Sequence, residues 1–423
     1  MKKNDVIKAV QNKNKKETTI KKKNTTKNKA KTNKVKKNTK QEKKIVTVIP
    51  PTPKEDIVEK NTVNEDLPFK KRLIHFLIKL CIFIVCFFFI VFIFFTITEY
   101  KPKEREKVNV TGEGFFTLNP GDSFQVMSWN IGYGALGDNA DFFMDHGTMV
   151  QTASRDRINK NLNSIRNKIQ DTKPQILFLQ EVDISSKRAC HVNELSSFRN
   201  HLNNYSSAFA TNFKVSYLPY PLFDTIGHVH SGIATFSKYT IDDAERVQLP
   251  SSFIWPVSTI NLKRCLLITR LPIKDSEKEL VLINLHLEAY DNGKGKELQT
   301  EKLLEILKEE KEKGNYVIAG GDFNQSFDSV DLSKYPLNEK LWTPGTIEVK
   351  DFGDGWQTLM DSETPSCRSL DQPYKDANKD TFQYYVIDGF IVSDNIKVDS
   401  FHAENLDFVA SDHNPVIMKV TLT

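Results

Sequence analysis

Six short segments of this chain share one design: a mostly apolar run carries, at or near its end, a polar residue suited to metal or phosphate chemistry. S-W-N carries Asn130, and Q-I-L-F-L-Q-E ends in Glu181. V-L-I-N-L-H-L carries His286, and Y-V-I-A-G-G-D-F-N carries Asp322 and Asn324. Y-V-I-D-G-F-I carries Asp388, and S-D-H-N-P-V carries Asp412 and His413. Singly, each has a bland reading. A Glu at a strand end is an ordinary solvated residue, a lone His is commonly structural, and Asp-x-Asn forms turns. Their recurrence at the same kind of position points to a shared crevice, because ligand sites in α/β sheets form at strand ends. Carboxylate and amide oxygens without thiolates favour a hard cation, Mg²⁺ or Mn²⁺. Two His add groups that titrate near neutrality. The set suits metal-assisted hydrolysis of a phosphate ester. The sequence contains neither a G-x-x-x-x-G-K-[ST] loop nor a G-x-S-x-G elbow, which excludes a P-loop NTPase and argues against an α/β-hydrolase.

The elements that must position these residues are strands and helices in alternation. Segments 123–129, 175–181, 232–237, 265–271, 279–287, 316–322, 384–393 and 416–422 read as strands. Ile158, Leu162, Ile165 and Ile169 fall on one helical face, and Pro174 stops that helix. Leu303, Leu304, Ile306 and Leu307 mark another, ended by Gly314. Residues 122–423 are therefore one α/β body.

Charge divides the chain differently. Residues 1–72 hold 23 Lys/Arg against 8 Asp/Glu, whereas residues 122–423 hold 31 against 42. A net charge of +5 thus conceals a basic tail on an acidic body. The Lys/Asn/Thr-rich tail has too little apolar surface to offset the entropy of ordering and reads as disordered; its alternative role is contact with anionic lipid or nucleic acid. Five Cys without C-x-x-C spacing exclude a disulfide scaffold and a zinc-finger array.

Residues 73–98 read as a transmembrane helix. From Leu80 to Thr98 there are 19 residues without a charge. At about 1.5 Å per residue they cross roughly 30 Å of hydrocarbon. Lys70, Lys71 and Arg72 flank one end and mixed charge the other, so the tail is expected in the cytoplasm and the body outside. Residues 99–121 read as a stalk linker.

The ordered set S-W-N, L-Q-E-V, N-L-H-L, G-G-D-F-N, I-D-G-F and S-D-H-N-P resembles the endonuclease/exonuclease/phosphatase superfamily of metal-dependent phosphoesterases, across nearly the whole body. The resemblance implies a four-layer α/β sandwich, two mixed sheets face to face with helices outside. It implies that Glu181 is the principal metal ligand, with Asn130 and Asp412 beside it. It implies that Asp322 and Asn324 position the water and the phosphate, and that His413, oriented by Asp388, acts on one or the other. His286 resembles the second His of deoxyribonucleases, sphingomyelinases, deadenylases and inositol-phosphate 5-phosphatases. Abasic-site endonucleases have Tyr there and an acidic residue where this chain has Gly132, and the W-C-D-R segment of the 5-phosphatases is missing. Segment 231–238 resembles a further family strand with a structural role. His228 and His230 either line the pocket or are solvated loop residues. Arg155, Arg157 and Arg188 either bind phosphate or are surface charge, and with Lys187 they are the candidates for a basic groove.

The expected function is a membrane-anchored phosphoesterase acting on a lipid headgroup or small phosphoester. A membrane-anchored nuclease is the alternative within the enzyme class. An inactive anchored scaffold is the alternative outside it, and it predicts a broken motif that the sequence does not show. The acidic body favours the first, since long nucleic acids are gripped largely through Lys/Arg–phosphate contacts.

Overall fold

The computed structural model describes residues 68–291 and 293–423. The proposed cytoplasmic tail therefore lies outside the described residues except for 68–72, of which 69–72 belong to the first helix. That helix, α1, runs Phe69–Thr98 and begins four residues before the expected span. Among the described residues it is the one helix long and apolar enough to cross a membrane, and its apolar side chains are almost all exposed.

The elements that follow are β1 (Arg105–Lys107), β2 (Ser123–Asn130), α2 (Arg155–Thr172), β3 (Ile176–Asp183), α3 (Glu194–His201), β4 (Ser206–Leu218), β5 (Gly227–Ser237), β6 (Asp243–Gln248), β7 (Cys265–Pro272) and β8 (Glu279–His286). Then come α4 (Lys294–Glu312), β9 (Tyr316–Asp322), β10 (Gln325–Phe327), β11 (Gly345–Ile347), β12 (Trp356–Leu359), β13 (Cys367–Arg368), β14 (Tyr384–Tyr385), β15 (Asp388–Ser393), β16 (Ile396–Ala403) and β17 (Val416–Leu422). Two large sheets form, ordered β1-β6-β7-β8-β9-β15-β12 and β16-β17-β2-β3-β5-β4. Each holds one parallel pair, β8/β9 and β2/β3, among antiparallel neighbours.

Side-chain alternation builds the layers. Phe178 of β3 points between the sheets, where its ring lies 6.5 Å from that of Phe390 of β15. Its neighbours Leu177 and Leu179 point outward onto α2, joining Ile158, Leu162, Ile165 and Ile169. On the other sheet, Val281, Ile283, Val317 and Ala319 pack under Leu303, Ile306 and Leu307 of α4. All are almost wholly buried, and each large aliphatic side chain contributes about 1.5–3 kcal/mol by leaving water. The result is the four-layer sandwich expected from the sequence. Ser154 starts α2 by accepting a hydrogen bond from the Arg157 amide, and Lys173 ends it in the left-handed conformation.

Two features differ from the expectation. Residues 99–121 are not a free stalk. Arg105–Lys107 pairs with β6 as an edge strand, and Thr111, Phe116 and Leu118 bridge to Ser207, Tyr239 and Ile273. The charged R-E-K segment pairs because its cations meet acids across the ladder: Arg105 bonds Glu245 at 3.0 Å, and Lys107 bonds Asp243. The expected strand 384–393 is split into β14 and β15, which belong to different sheets.

Candidate active site

Strand polarity brings the six motifs to one edge of the sandwich. Asn130, His286 and Asp322 terminate β2, β8 and β9. β15 runs antiparallel to β9, so its first residue, Asp388, lies opposite Asp322; β8 runs parallel, so His286 lies opposite Asp322 from the other side. β17 runs antiparallel to β2, which returns the preceding loop, with Asp412 and His413, to the end of β2. Glu181 needs an additional device. The β3/β5 register shifts between Leu179 and Val182, and Glu181 takes a left-handed backbone (φ 56°). This bulge turns the carboxylate towards the site instead of letting it alternate with Gln180.

Asp322 is the hub. Its Oδ2 accepts from Asn130 Nδ2 at 2.9 Å and lies 3.4 Å from His286 Nε2 and 3.8 Å from His413 Nε2. Its Oδ1 accepts from the Asn324 amide at 2.9 Å, across a turn that Asn324 makes with φ 50°. Asn324 is fixed in turn by donating to the Leu287 carbonyl at 3.0 Å. His413 Nδ1 lies 2.8 Å from Asp388 Oδ2, which fixes the tautomer and leaves Nε2 facing Asp322. Asn130 Nδ2 also reaches Glu181 Oε1 at 3.3 Å, and His286 Nε2 lies 4.0 Å from the same oxygen.

Electrostatics separate the two His. Burial drives the His286 imidazole well below its ordinary pKa, and the nearby Arg264 adds to this, so it is neutral. Burial acts downward on His413 as well, but the hydrogen-bonded Asp388 carboxylate, with Asp322 adding to it, outweighs it and holds the imidazole well above its ordinary value. Burial raises Asp322 to about 6, with the Asp388 charge reinforcing it. Burial likewise raises Asp412 to about 6, with the Glu181 charge adding to the rise and His413 and Arg368 opposing it. Crowded, partly desolvated carboxylates of this kind suit a divalent cation, whose charge would remove the penalty. The donors nearest that role are the carboxylate oxygens of Glu181 and Asp412. Asn130 turns its Nδ2 to Glu181 and Asp322, while its Oδ1 accepts from the Gly132 amide at 3.1 Å. Asp322, Asp388 and His413 also offer ligand atoms within 4.8 Å of one another, as do Cys367, Asp412 and His413.

All eight residues singled out from the sequence thus gather in one region, and six of them, all but Asn130 and Asp388, line one cavity of about 390 Å³. Its floor is polar and its walls are largely apolar, built from Phe142, Val150, Phe213, Leu218, Ile226, Leu262 and Trp342. The other candidates divide. Arg188 lines the cavity but is engaged: it bonds Asp183 at 2.9 and 3.1 Å, and its guanidinium lies 3.8 Å from the Tyr133 ring centroid. Arg155 donates to the Cys190 carbonyl and Arg157 to Asp138, so both hold loops together. Lys187 donates to the Thr225 carbonyl. His230 is hydrogen-bonded to Thr211 at 3.0 Å and His228 stacks on His191; neither lines the cavity.

The sequence reading missed two groups. Asp145 accepts from the Tyr290 hydroxyl at 2.9 and 3.0 Å, and both residues line the cavity. Burial raises Asp145 to about 7, with Asp412 and Glu181 adding to the rise. No local pattern marks this pair, which is separated by 145 positions. The second group lies beneath the floor. Gln180 of β3 donates to Asn284 of β8 at 2.8 Å, joining the two sheets inside an apolar core. An amide within each apolar strand, immediately before Glu181 and two before His286, was the available signal.

The sequence profile of the endonuclease/exonuclease/phosphatase family matches residues 127–413, and the chain belongs to that family. Among solved structures, an endonuclease/exonuclease/phosphatase from Beutenbergia cavernae is similar at 17% identity, with a TM-score of 0.49, covering 71% of this chain and 72% of that one. The catalytic domain of human Nocturnin with bound sulfate is similar at 18% identity and a TM-score of 0.46, covering 75% and 98%. Truncated TDP2 from Caenorhabditis elegans is similar at 16% identity and a TM-score of 0.42, covering 71% and 98%. No curated protein sequence matches the chain.

Proposed function

We propose that the chain is a membrane-anchored, Mg²⁺- or Mn²⁺-dependent phosphoesterase that hydrolyses a lipid headgroup or small phosphoester. Its N-terminal segment is cytoplasmic and its catalytic domain external. The observation that carries the chemistry is the buried line Asp388–His413–Asp322–His286, closed by contacts of 2.8, 3.8 and 3.4 Å. Asp322, held by Asn130 and the Asn324 amide, orients a water at Oδ2 and accepts its proton. The water attacks phosphorus as the ester P–O bond breaks, and the leaving oxygen takes a proton from solvent. His413, kept cationic by Asp388, donates a hydrogen bond from Nε2 to a phosphate oxygen as charge builds there. His286, kept neutral, faces the same carboxylate and supplies a polar contact without adding a second cation. Glu181 and Asp412 would hold the metal ion through their carboxylates, with Asn130, which bridges Glu181 and Asp322, beside them. The ion, when bound, neutralises phosphate charge and polarises the ester.

The apolar cavity walls support a small or lipid phosphoester over a nucleic acid, as does Arg188, whose guanidinium is already committed to Asp183. The test is hydrolysis by the full chain of bis(4-nitrophenyl) phosphate, sphingomyelin and inositol phosphates, against DNA and RNA, with Mg²⁺. Turnover of nucleic acid alone, falling steeply with salt, overturns the substrate reading.

A further inference from the structure

Two loops form one wall of the cavity and end in tips that have no place in water. Residues 219–226 join β4 to β5. Their flanks, Leu218, Tyr220 and Ile226, line the cavity, while Leu222 and Phe223 at the tip are 74% and 98% exposed. Residues 249–264 join β6 to β7. Val257, Ile260 and Leu262 line the cavity, while Ile254 is 80% exposed and Trp255 projects beside it. The loops share one apolar cluster, in which Ile260 and Leu262 pack with Phe213, Leu218 and Ile226, so the two are joined at their bases. Exposed apolar residues grouped at a site mouth mark an interaction surface.

What covers them is indicated by α1. Trp255 Nε1 donates to Thr96 at 3.0 Å, and its ring lies 5.6 Å from that of Phe92. Just past the end of α1, Glu99 binds Lys263 at 2.7 Å, and the same Lys263 donates to the Ser258 carbonyl of this loop. The carboxyl of Glu99 stays below its ordinary range because Lys263 and Lys101 outweigh the effect of burial. The tip of the second loop is therefore fastened to the last turns of the helix read as transmembrane. Trp255 lies level with the helix end, the depth at which Trp concentrates in membrane proteins.

We infer that the tips at Leu222, Phe223, Ile254 and Trp255 are seated in the surface of the bilayer that α1 enters, so that the cavity opens onto lipid and takes the phosphoester of a membrane lipid. This rests on reading α1 as the anchor and the site as a phosphoesterase. It adds a docking surface and a route of substrate entry. The headgroup reaches the polar floor from the membrane side, and the apolar walls shelter the adjoining part of the lipid. The anchor sets the distance, and the tips set the orientation.

The experiment uses the full chain in nanodiscs of phosphatidylcholine, phosphatidylglycerol and sphingomyelin. F223W adds a fluorophore at the tip, and brominated lipid is expected to quench the added emission; absence of quenching overturns the docking. The variant L222S/F223S/I254S is then compared with the wild type on bis(4-nitrophenyl) phosphate in solution and on the disc lipids. The soluble reaction is expected to be unchanged and hydrolysis of disc lipid to fall about tenfold or more, from the apolar contacts removed. Equal losses on both substrates overturn the proposal. Quenching without hydrolysis of any disc lipid, or with cleavage of DNA instead, overturns the lipid assignment. Failure of the wild type on bis(4-nitrophenyl) phosphate would refute the phosphoesterase reading instead, and the quenching result would still decide the docking.

Discussion

Asp388→Asn removes one charge at nearly constant shape. The carboxylate uses Oδ2 for His413 Nδ1 at 2.8 Å, while Oδ1 is buried and meets no donor. An Asn can keep its oxygen on Nδ1–H only by placing its NH₂ at the buried position of Oδ1. Turning over, it puts an N–H against Nδ1 and forces the proton to Nε2. A charge-assisted hydrogen bond is worth about 1.5–3 kcal/mol, and a stranded buried amide costs about 1–3 kcal/mol. His413 also loses the first of the charges that keep it cationic against burial. Removing such an acid–base partner typically lowers the rate by about 10²–10⁴-fold. The assay is kcat and kcat/KM on bis(4-nitrophenyl) phosphate for D388N, H413A and the double variant, with thermal unfolding as a control for folding. Because Asp388 acts through His413, the double variant should lie within about threefold of the worse single variant. Losses that multiply, or a D388N enzyme close to wild type, would refute the assigned relay.

Three further outcomes are expected. Gly132 sits at φ 51°, and a Cβ there would lie 2.7 Å from Asp412 Oδ1 and 2.9 Å from Leu136 Cβ. G132A should therefore lower stability by about 1–3 kcal/mol and raise the Mg²⁺ concentration needed for half-maximal activity; an unchanged Mg²⁺ requirement would contradict the placement of Asp412. Glu310 is held at about 2 against an ordinary 4.5, since Arg270, Lys313 and Asn315 outweigh burial. Its folded pKa is the depressed one, so its stabilisation is complete above about pH 4.5 and disappears as pH falls towards 2. E310Q should flatten the melting-temperature profile over that window, and an unaltered acid limb would discount the Arg270 pair. Protease added to intact cells or spheroplasts should remove the domain and spare the N-terminal segment; protection of the domain would reverse the orientation.

The polar residues of the site were legible because each sits in or beside a short apolar run, at or near one of its ends. Their convergence was not written locally. It depends on β15 and β17 running antiparallel to β9 and β2, which returns Asp388, Asp412 and His413 to the edge already holding Asn130, His286 and Asp322. The bulge that aims Glu181 has no Gly to announce it, because Glu181 itself takes the positive φ. The apolar walls were missed because they come from loops, whose Phe142, Val150 and Trp342 follow no periodicity, and from β4, whose Phe213 and Leu218 lay in an unread strand. Arg105–Lys107 was read as linker because three charged residues carry no strand pattern, and only the facing acids of β6 make them one. β4 was missed because its S-S-A-F-A-T-N-F-K-V run alternates only from Asn212 onward, a short stretch for the period-two rule.

In the proposed chemistry this cluster of carboxylates, amides and imidazoles hydrolyses a phosphoester with a divalent cation held at Glu181. The most direct measurement is an Mg²⁺ titration of bis(4-nitrophenyl) phosphate hydrolysis by the full chain in detergent, wild type beside Glu181→Gln, with folding of both checked by circular dichroism. Loss of a carboxylate ligand leaves the cation weakly held. The expected result is turnover abolished by chelator and restored by Mg²⁺ in the wild type, with E181Q folded and inactive at the Mg²⁺ level that saturates the wild type. Turnover that persists in chelator, or an E181Q titration that overlays the wild type, would contradict the account.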